Sequence, residues 1–177
     1  MLEDLPLCEV YRLIEPGPVV MLSTRHGGRP NLMTMSWHMM VEFEPPTIAC
    51  VVSSANDSFK ALQKAKECVV AIPDVTLAEK VVAVGNCHGC DVDKFATVGL
   101  TPIPGEYVLA PVIRECFANL ECKVVNTRLV NKYNLFVIKV LKAWIDPEQK
   151  SPRTIHHRGY GTFIVDGETI KLKSKMR

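Results

Sequence analysis

Three stretches of the chain carry residue types able to do chemistry. Arg29 to Trp37 (RPNLMTMSW) sets Asn31, Thr34 and Ser36 between Leu32, Met33, Met35 and Trp37. A strand of that kind offers backbone groups and hydroxyls to the edge of a flat heterocycle, and apolar side chains to its face. The same apolar/polar alternation fits an ordinary half-buried strand. Ser53 to Lys60 (SSANDSFK) leads into a helical pattern and supplies the hydroxyls of Ser53, Ser54 and Ser58, with Asn56, Phe59 and Lys60. Unpaired backbone N–H groups and the positive end of a helix dipole suit phosphate there. A plain helix cap at Asn56 or Asp57 accounts for the same residues.

The third stretch is Cys87-His88-Gly89-Cys90. A c-type haem attachment needs histidine directly after the second cysteine, and Asp91 stands there instead. Zinc would take Cys87, Cys90 and His88, but it needs further ligands, and there is no second CxxC in the chain. A redox dithiol has this spacing, and a helix following it would favour the thiolate. A loop in which the two cysteines are not redox partners is equally compatible. No metal is expected.

Elements must position these residues. Pro18 to Thr24 reads as a buried strand, Gly27-Gly28 as a hairpin turn, and Asn31 to Val41 as resumed extended chain. Thr47 to Ser53 is β-branched and apolar, as a core strand should be. Asp57 to Glu67 has helical spacing, and Val69 to Ile72 is a short strand. Thr76 to Val84 predicts a helix with a capping box of Thr76 and Glu79, and Asp91 to Val98 a helix ended by Gly99. Phe117 to Asn126 and Asn134 to Trp144 alternate as strands. Asp166-Gly167 predicts a final hairpin of Thr162–Val165 with Thr169–Leu172. Many strands, few helices and no βαβ rhythm predict a mainly β protein, a barrel or sandwich, formed as a single domain over 1–177. No GxGxxG or GxxxxGK[ST] loop occurs.

Composition narrows the function classes. The 177 residues carry a net charge of +2, without the concentrated basic patch of a nucleic-acid binder. The one basic cluster is the tail, Lys171, Lys173, Lys175 and Arg177, and no nucleic-acid partner is expected. No apolar run is long enough to span a bilayer, and the N-terminus does not read as a signal peptide. Seven scattered cysteines favour a reducing cytoplasm over a disulfide framework.

The ordered set PGPVVMLST, GRPNLMTMSW, PPTIACVV and DSFKAL resembles the flavin-reductase-like, FMN-binding split-barrel proteins, the flavoredoxin-like branch above all. The resemblance continues through VGNCHGCDVDKFATVGLTP, YNLFVIKV and Gly159 to Gly167, covering roughly residues 11 to 167. It implies a Greek-key-like split β-barrel that forms a homodimer, with FMN near the subunit interface. It implies that the Asn31–Trp37 strand lies along the flavin and the Ser53–Lys60 turn holds the phosphate. Residues Tyr133 to Phe136 would approach the flavin from one side of the interface. The cofactor-binding residues so expected are Asn31, Leu32, Met33, Thr34, Ser36, Trp37, Ser53, Ser54, Asn56, Ser58, Phe59, Lys60, Cys87, His88, Gly89 and Lys94.

The chain departs from the family where Ser-Gly-Arg-Asp is usual and His88-Gly89-Cys90-Asp91 stands. The arginine is a natural partner for nicotinamide-cofactor phosphates, so its absence weakens NAD(P)H as direct donor and leaves Lys94 as a compensating charge. His156-His157-Arg158 reads either as a flavin or nicotinamide contact or as a solvated turn, and His38 is assigned no role. The chemistry expected is carried by FMN, with no catalytic side chain. Electrons come from NAD(P)H or a redox partner and pass to free flavin, a ferric chelate or another small-molecule or protein acceptor. A flavoredoxin-like carrier and a non-catalytic FMN-binding module are the alternatives.

Overall fold

The unbroken apolar run Val19-Val20-Met21-Leu22 forms a strand covered on both faces. Val20 and Leu22 join one core with Ile48, Val70, Leu120, Phe136 and Ile138. Val19 and Met21 join another with Leu32, Val81, Val84, Phe95 and Ile155. Strands buried on both faces read as continuous rather than alternating hydrophobics. The computed structural model describes residues 1–173.

The elements in chain order are β1 (Glu3–Asp4), α1 (Tyr11–Ile14), β2 (Val20–His26), β3 (Arg29–Met35), β4 (His38–Phe43), β5 (Pro46–Val51), α2 (Asp57–Ala65), β6 (Glu67–Ile72), α3 (Ala78–Gly85) and α4 (Lys94–Val98). There follow β7 (Pro102–Ile103), β8 (Val112–Ile113), β9 (Ala118–Asn126), α5 (Val130–Tyr133), β10 (Leu135–Ile145), β11 (Ile155–Gly159) and β12 (Thr162–Val165). The main sheet has eight strands in the order β3-β2-β6-β9-β10-β5-β4, with β1 beside β10. Every pairing is antiparallel. The two ends of the path, β3 and β4, are consecutive in the chain yet do not pair, and this gap is the split of the barrel.

Four sequence expectations are corrected. Asn31–Val41 is two strands rather than one, because Ser36–Trp37 carry the chain across the split from one sheet edge to the other. The turn before α3 is capped by Asp74, whose carboxylate accepts from Thr76 N–H at 2.9 Å, and not by Thr76. The helix expected over Asp91–Val98 begins at Lys94, capped by Asp93 on Ala96 N–H, and ends at Gly99 as its left-handed φ of +63° allows. Thr162–Val165 pairs with Ile155–Gly159 instead of Thr169–Leu172. The tight turn lies at Gly159-Tyr160-Gly161, all at positive φ, while Asp166 folds its side chain back onto Thr154 and His156. Of the basic tail, Lys171 and Lys173 are exposed, and Lys175 and Arg177 lie outside the described residues.

The inner core closes on Phe136, which is fully buried and meets Phe59 edge to face at 5.3 Å. Phe136→Ala is expected to cost about 3–5 kcal/mol, read as a lowered urea midpoint for the apoprotein; a change under about 1 kcal/mol would place this ring outside the packed core.

Candidate functional site

The free edge of β3 faces α3, α4 and the start of α2, and a cleft opens among them. It is lined by Asn31, Leu32, Met33, Thr34, Asn56, Asp57, Ser58, Val84, Gly85, Cys87, His88, Gly89 and Lys94, with a cavity volume of about 100 Å³. A second cavity of about 340 Å³ shares Thr34 and Gly85 with it and continues along Ser36, Val81, Val82 and Asn86. His157, Gly161 and Phe163 of the β11–β12 hairpin close its far side. The two make one groove with a narrow polar end and a wider end walled by valines and an aromatic ring. A larger cavity of about 540 Å³ near Ile103, Val112 and Trp144 contains none of the expected residues and lacks this convergence of polar groups.

Lys94 dominates the narrow end. It is 6% exposed. Its ammonium donates at 2.9 Å to the carbonyl of Val84, in the last turn of α3, where the helix dipole is negative. No carboxylate pairs with it among the described residues. Burial lowers its pKa below the ordinary lysine value, although the nearby Cys87, Asp57 and Cys90 act in the other direction. Opposite it, the Asn31 amide donates to Ser58 Oγ at 3.1 Å, which leaves the Ser58 hydroxyl proton free for an acceptor. Asn31 Oδ1 is buried without a partner. A Cβ on Gly89 would come within 2.1 Å of that oxygen, so only glycine lets the loop lie on the Asn31 amide. The Cys90 N–H donates to Asp57 Oδ2 at 3.1 Å and ties the loop to α2. A buried cation short of acceptors, a free hydroxyl proton and a helix start together fit the phosphate of FMN, and the wider end fits a flat ring.

Eleven expected residues line the groove: ten at the narrow end and Ser36 at the wide end. Trp37, Ser53, Ser54, Phe59 and Lys60 do not. Trp37 is 71% exposed in the strand crossing. Ser53 Oγ accepts from Ala55 N–H and closes a local turn, and Ser54 is exposed. Phe59 packs into the barrel core against Phe136, and Lys60 is exposed. Phe136 is likewise core and does not reach the surface, whereas Tyr133 is exposed. His38 donates through Nε2 to the Pro18 carbonyl at 2.7 Å; burial lowers its pKa, and it lines neither cavity. Residues that sequence reasoning missed include Asp57, read as a cap; Val81, Val82, Val84, Gly85 and Asn86, in or just after the helix expected over Thr76–Val84; and Phe163, in the expected final hairpin. Only their neighbourhood to β3 distinguishes them.

The cysteine loop runs between α3 and α4. Cys87 follows the negative end of α3 rather than preceding a helix, and its thiol donates to the Ala83 carbonyl at 3.3 Å. Cys90 is exposed, and its thiol is pushed up by the hydrogen bond to Asp91. Both thiols are free, and α4 starts too late to favour either.

This sheet, split between β3 and β4 and carrying on its open edge a groove with a polar and an apolar end, defines a split-barrel class of protein. A flavin reductase like domain matches residues 11–163. The chain belongs to that family. It is 30% identical over 173 residues to the YddH protein of Escherichia coli (strain K12), covering 90% of this chain and 92% of that one. A Pyrococcus abyssi (strain GE5 / Orsay) protein is 30% identical over 133 residues, 75% of this chain and 76% of its own. Among solved structures, an FMN-binding domain of flavin reductases-like enzyme from Shewanella baltica OS155 superposes with TM-score 0.92 at 24% identity, covering 98% of each chain. Flavoredoxin of Desulfovibrio vulgaris (Miyazaki F) superposes with TM-score 0.81 at 22% identity, over 90% of this chain and 91% of that one. These likenesses bear out the split-barrel fold.

Because burial lowers the Lys94 pKa, the unfolded chain binds more protons in the alkaline window between the folded and unfolded values. Apoprotein stability therefore gains from this residue as pH rises through that window. Lys94→Met removes the gain and relieves a buried charge, so its apoprotein melts above wild type at neutral pH, and the difference narrows in alkali. Thermal melting over a pH series checks this; a variant less stable than wild type at every pH contradicts it.

Proposed function

We propose that the groove binds FMN non-covalently and that the chain is a flavin reductase-like oxidoreductase. The observation that carries this is the buried Lys94 ammonium, which has one carbonyl partner and shares the narrow end with Ser58 and Asn31. Lys94, the Ser58 hydroxyl and the start of α2 hold the phosphate. The open edge of β3 and the side chains of Val81, Val82 and Phe163 enclose the ring and exclude water from it. Bound FMN supplies the electron-transfer chemistry, taking electrons from NAD(P)H or a redox partner and passing them to free flavin, a ferric chelate or another acceptor. Titration calorimetry tests the assignment: Lys94→Met weakens FMN by roughly 1.5–3 kcal/mol, the size of a charged hydrogen bond, and leaves riboflavin nearly unchanged. Equal losses for both ligands, or no FMN binding by the wild type, contradict it.

A second reading, an electron carrier fed by a protein rather than by NAD(P)H, is favoured by Cys90. Where the family pattern has arginine, the groove rim presents a neutral, exposed thiol. Anaerobic stopped-flow with NADH and NADPH separates the two. On the carrier reading wild type reduces slowly with both, and Cys90→Arg speeds NAD(P)H reduction by about tenfold or more through a new phosphate contact. Cys90→Ser stays at the wild-type rate. Rapid reduction of the wild type restores the direct-donor reading, and a flavin that no donor reduces leaves a binding module.

We further propose that the chain acts as a homodimer in a reducing cytoplasm. The sheet edge at β4 carries exposed Met39, Val41 and Phe43, with Trp37 just before it. An exposed apolar edge strand calls for a cover. Sedimentation is expected to give a dimer for wild type and a monomer for Met39→Lys/Val41→Lys; a monomeric wild type contradicts it.

A further inference from the structure

The β11–β12 hairpin forms its own two-stranded sheet, with no ladder to the main one. Isolated hairpins of this kind are marginal in water. It nevertheless walls the wide end of the groove through His157, Gly161 and Phe163. His157 and Phe163 stand opposite each other in register, with ring centroids 5.3 Å apart. Something must hold the hairpin in place. Buried Ile155 supplies one anchor, its carbonyl accepting from Val19 N–H at 2.7 Å.

Phe163 and Val165 pack against the same core as Ile155, and a polar cluster on the hairpin face away from His157 adds to them. His156 Nδ1 lies 3.1 Å from the Gly17 carbonyl oxygen, just before the start of β2. Its Nε2 lies 2.8 Å from Asp166 Oδ1 and 3.0 Å from the Thr154 hydroxyl oxygen. Asp166 Oδ2 accepts from the Thr154 hydroxyl at 2.5 Å and from Thr154 N–H at 3.1 Å. Arg153 Nε donates to the Asp166 carbonyl at 2.9 Å, and Arg153 N–H donates to Asp74 Oδ2 at 2.8 Å. Burial opposes the charge on Asp166, but Thr154 and His156 outweigh it and hold its pKa below the usual carboxylate range. His156 thus joins three segments distant in sequence: the approach to β2, the start of β11 and the residue after β12.

We propose that Thr154, His156 and Asp166 form a latch that fixes the hairpin as the wall of the ring end of the groove. His156 is then a positioning residue for the flavin ring, acting through His157 and Phe163 without lining the groove itself. The inference rests on the FMN reading and extends it to residues that no comparison with known proteins assigns.

The test uses lumiflavin, which keeps the isoalloxazine ring but has neither ribityl chain nor phosphate, beside FMN. His156→Ala is expected to weaken both ligands by the same factor, about tenfold, because the loss lies at the ring. Asp166→Asn gives a similar loss, and the double variant is no worse than either single one, as for partners in one network. Amide exchange of the apoprotein accelerates in 155–165 in both variants and stays unchanged in β2, β6, β9 and β10. Wild-type lumiflavin affinity in His156→Ala overturns the proposal, as does a loss confined to FMN or exchange that rises throughout the barrel. A wild-type protein that binds neither flavin contradicts the FMN reading instead. The latch is then decided by exchange alone: faster exchange confined to the hairpin retains it, and unchanged exchange removes it.

Discussion

A lysine ammonium buried without a carboxylate partner among the described residues is the constraint around which this structure is arranged. Removing such a charge from water costs several kcal/mol, and one backbone carbonyl at the electronegative end of α3 offsets only part of it. The fold holds that cost open at one place, the narrow end of the groove. There the start of α2 and the Ser58 hydroxyl point the same kind of charge complementarity at the same space. Each neighbouring feature serves this arrangement. Asp93 caps the helix that carries Lys94. Asp57 holds the cysteine loop by its backbone rather than pairing with the cation. Gly89 lets that loop lie against Asn31.

The sheet supplies the other half of the site by what it leaves unpaired. Closing the ladder between β3 and β4 would complete a barrel and remove the groove. The crossing at Ser36–Trp37 separates them instead, so β3 keeps an unpaired edge beside the groove and β4 keeps an exposed apolar edge. The C-terminal hairpin, which belongs to neither edge, covers the wide end. The groove beside β3 and the exposed apolar edge at β4 are therefore consequences of one interruption in strand pairing.

Much of this is legible in the sequence, and the failures have physical causes. β2 and β3 with their Gly27-Gly28 turn, β5, α2, β9 and β10 follow from periodicity and turn chemistry, because local preference and burial agree there. The final hairpin was legible only in part: Asp166-Gly167 is a sound turn signal, but Asp166 is spent on Thr154 and His156, and the turn forms at Gly159–Gly161. Asn31 is legible as a polar residue in an otherwise apolar strand, Ser58 as a hydroxyl at a helix entry, and Lys94 as a charge that compensates for the missing arginine. Phe59 and Lys60, adjacent to Ser58, were not separable from it, since facing around a helix is decided by what the barrel packs against. The CHGC spacing leaves a dithiol and a plain loop open, because spacing does not say what each thiol meets: Cys87 donates to the Ala83 carbonyl and Cys90 to Asp91.

The central claim, that the Lys94 end of the groove holds the phosphate of FMN, is tested most directly by the ³¹P resonance of FMN added to the protein. The account predicts a bound resonance displaced from that of free FMN, one that stays dianionic through the range near pH 6 where a free phosphate monoester takes up its second proton. In Lys94→Met the resonance should recover that titration. A bound phosphate that titrates as it does in free solution, in the wild-type protein, would contradict the account.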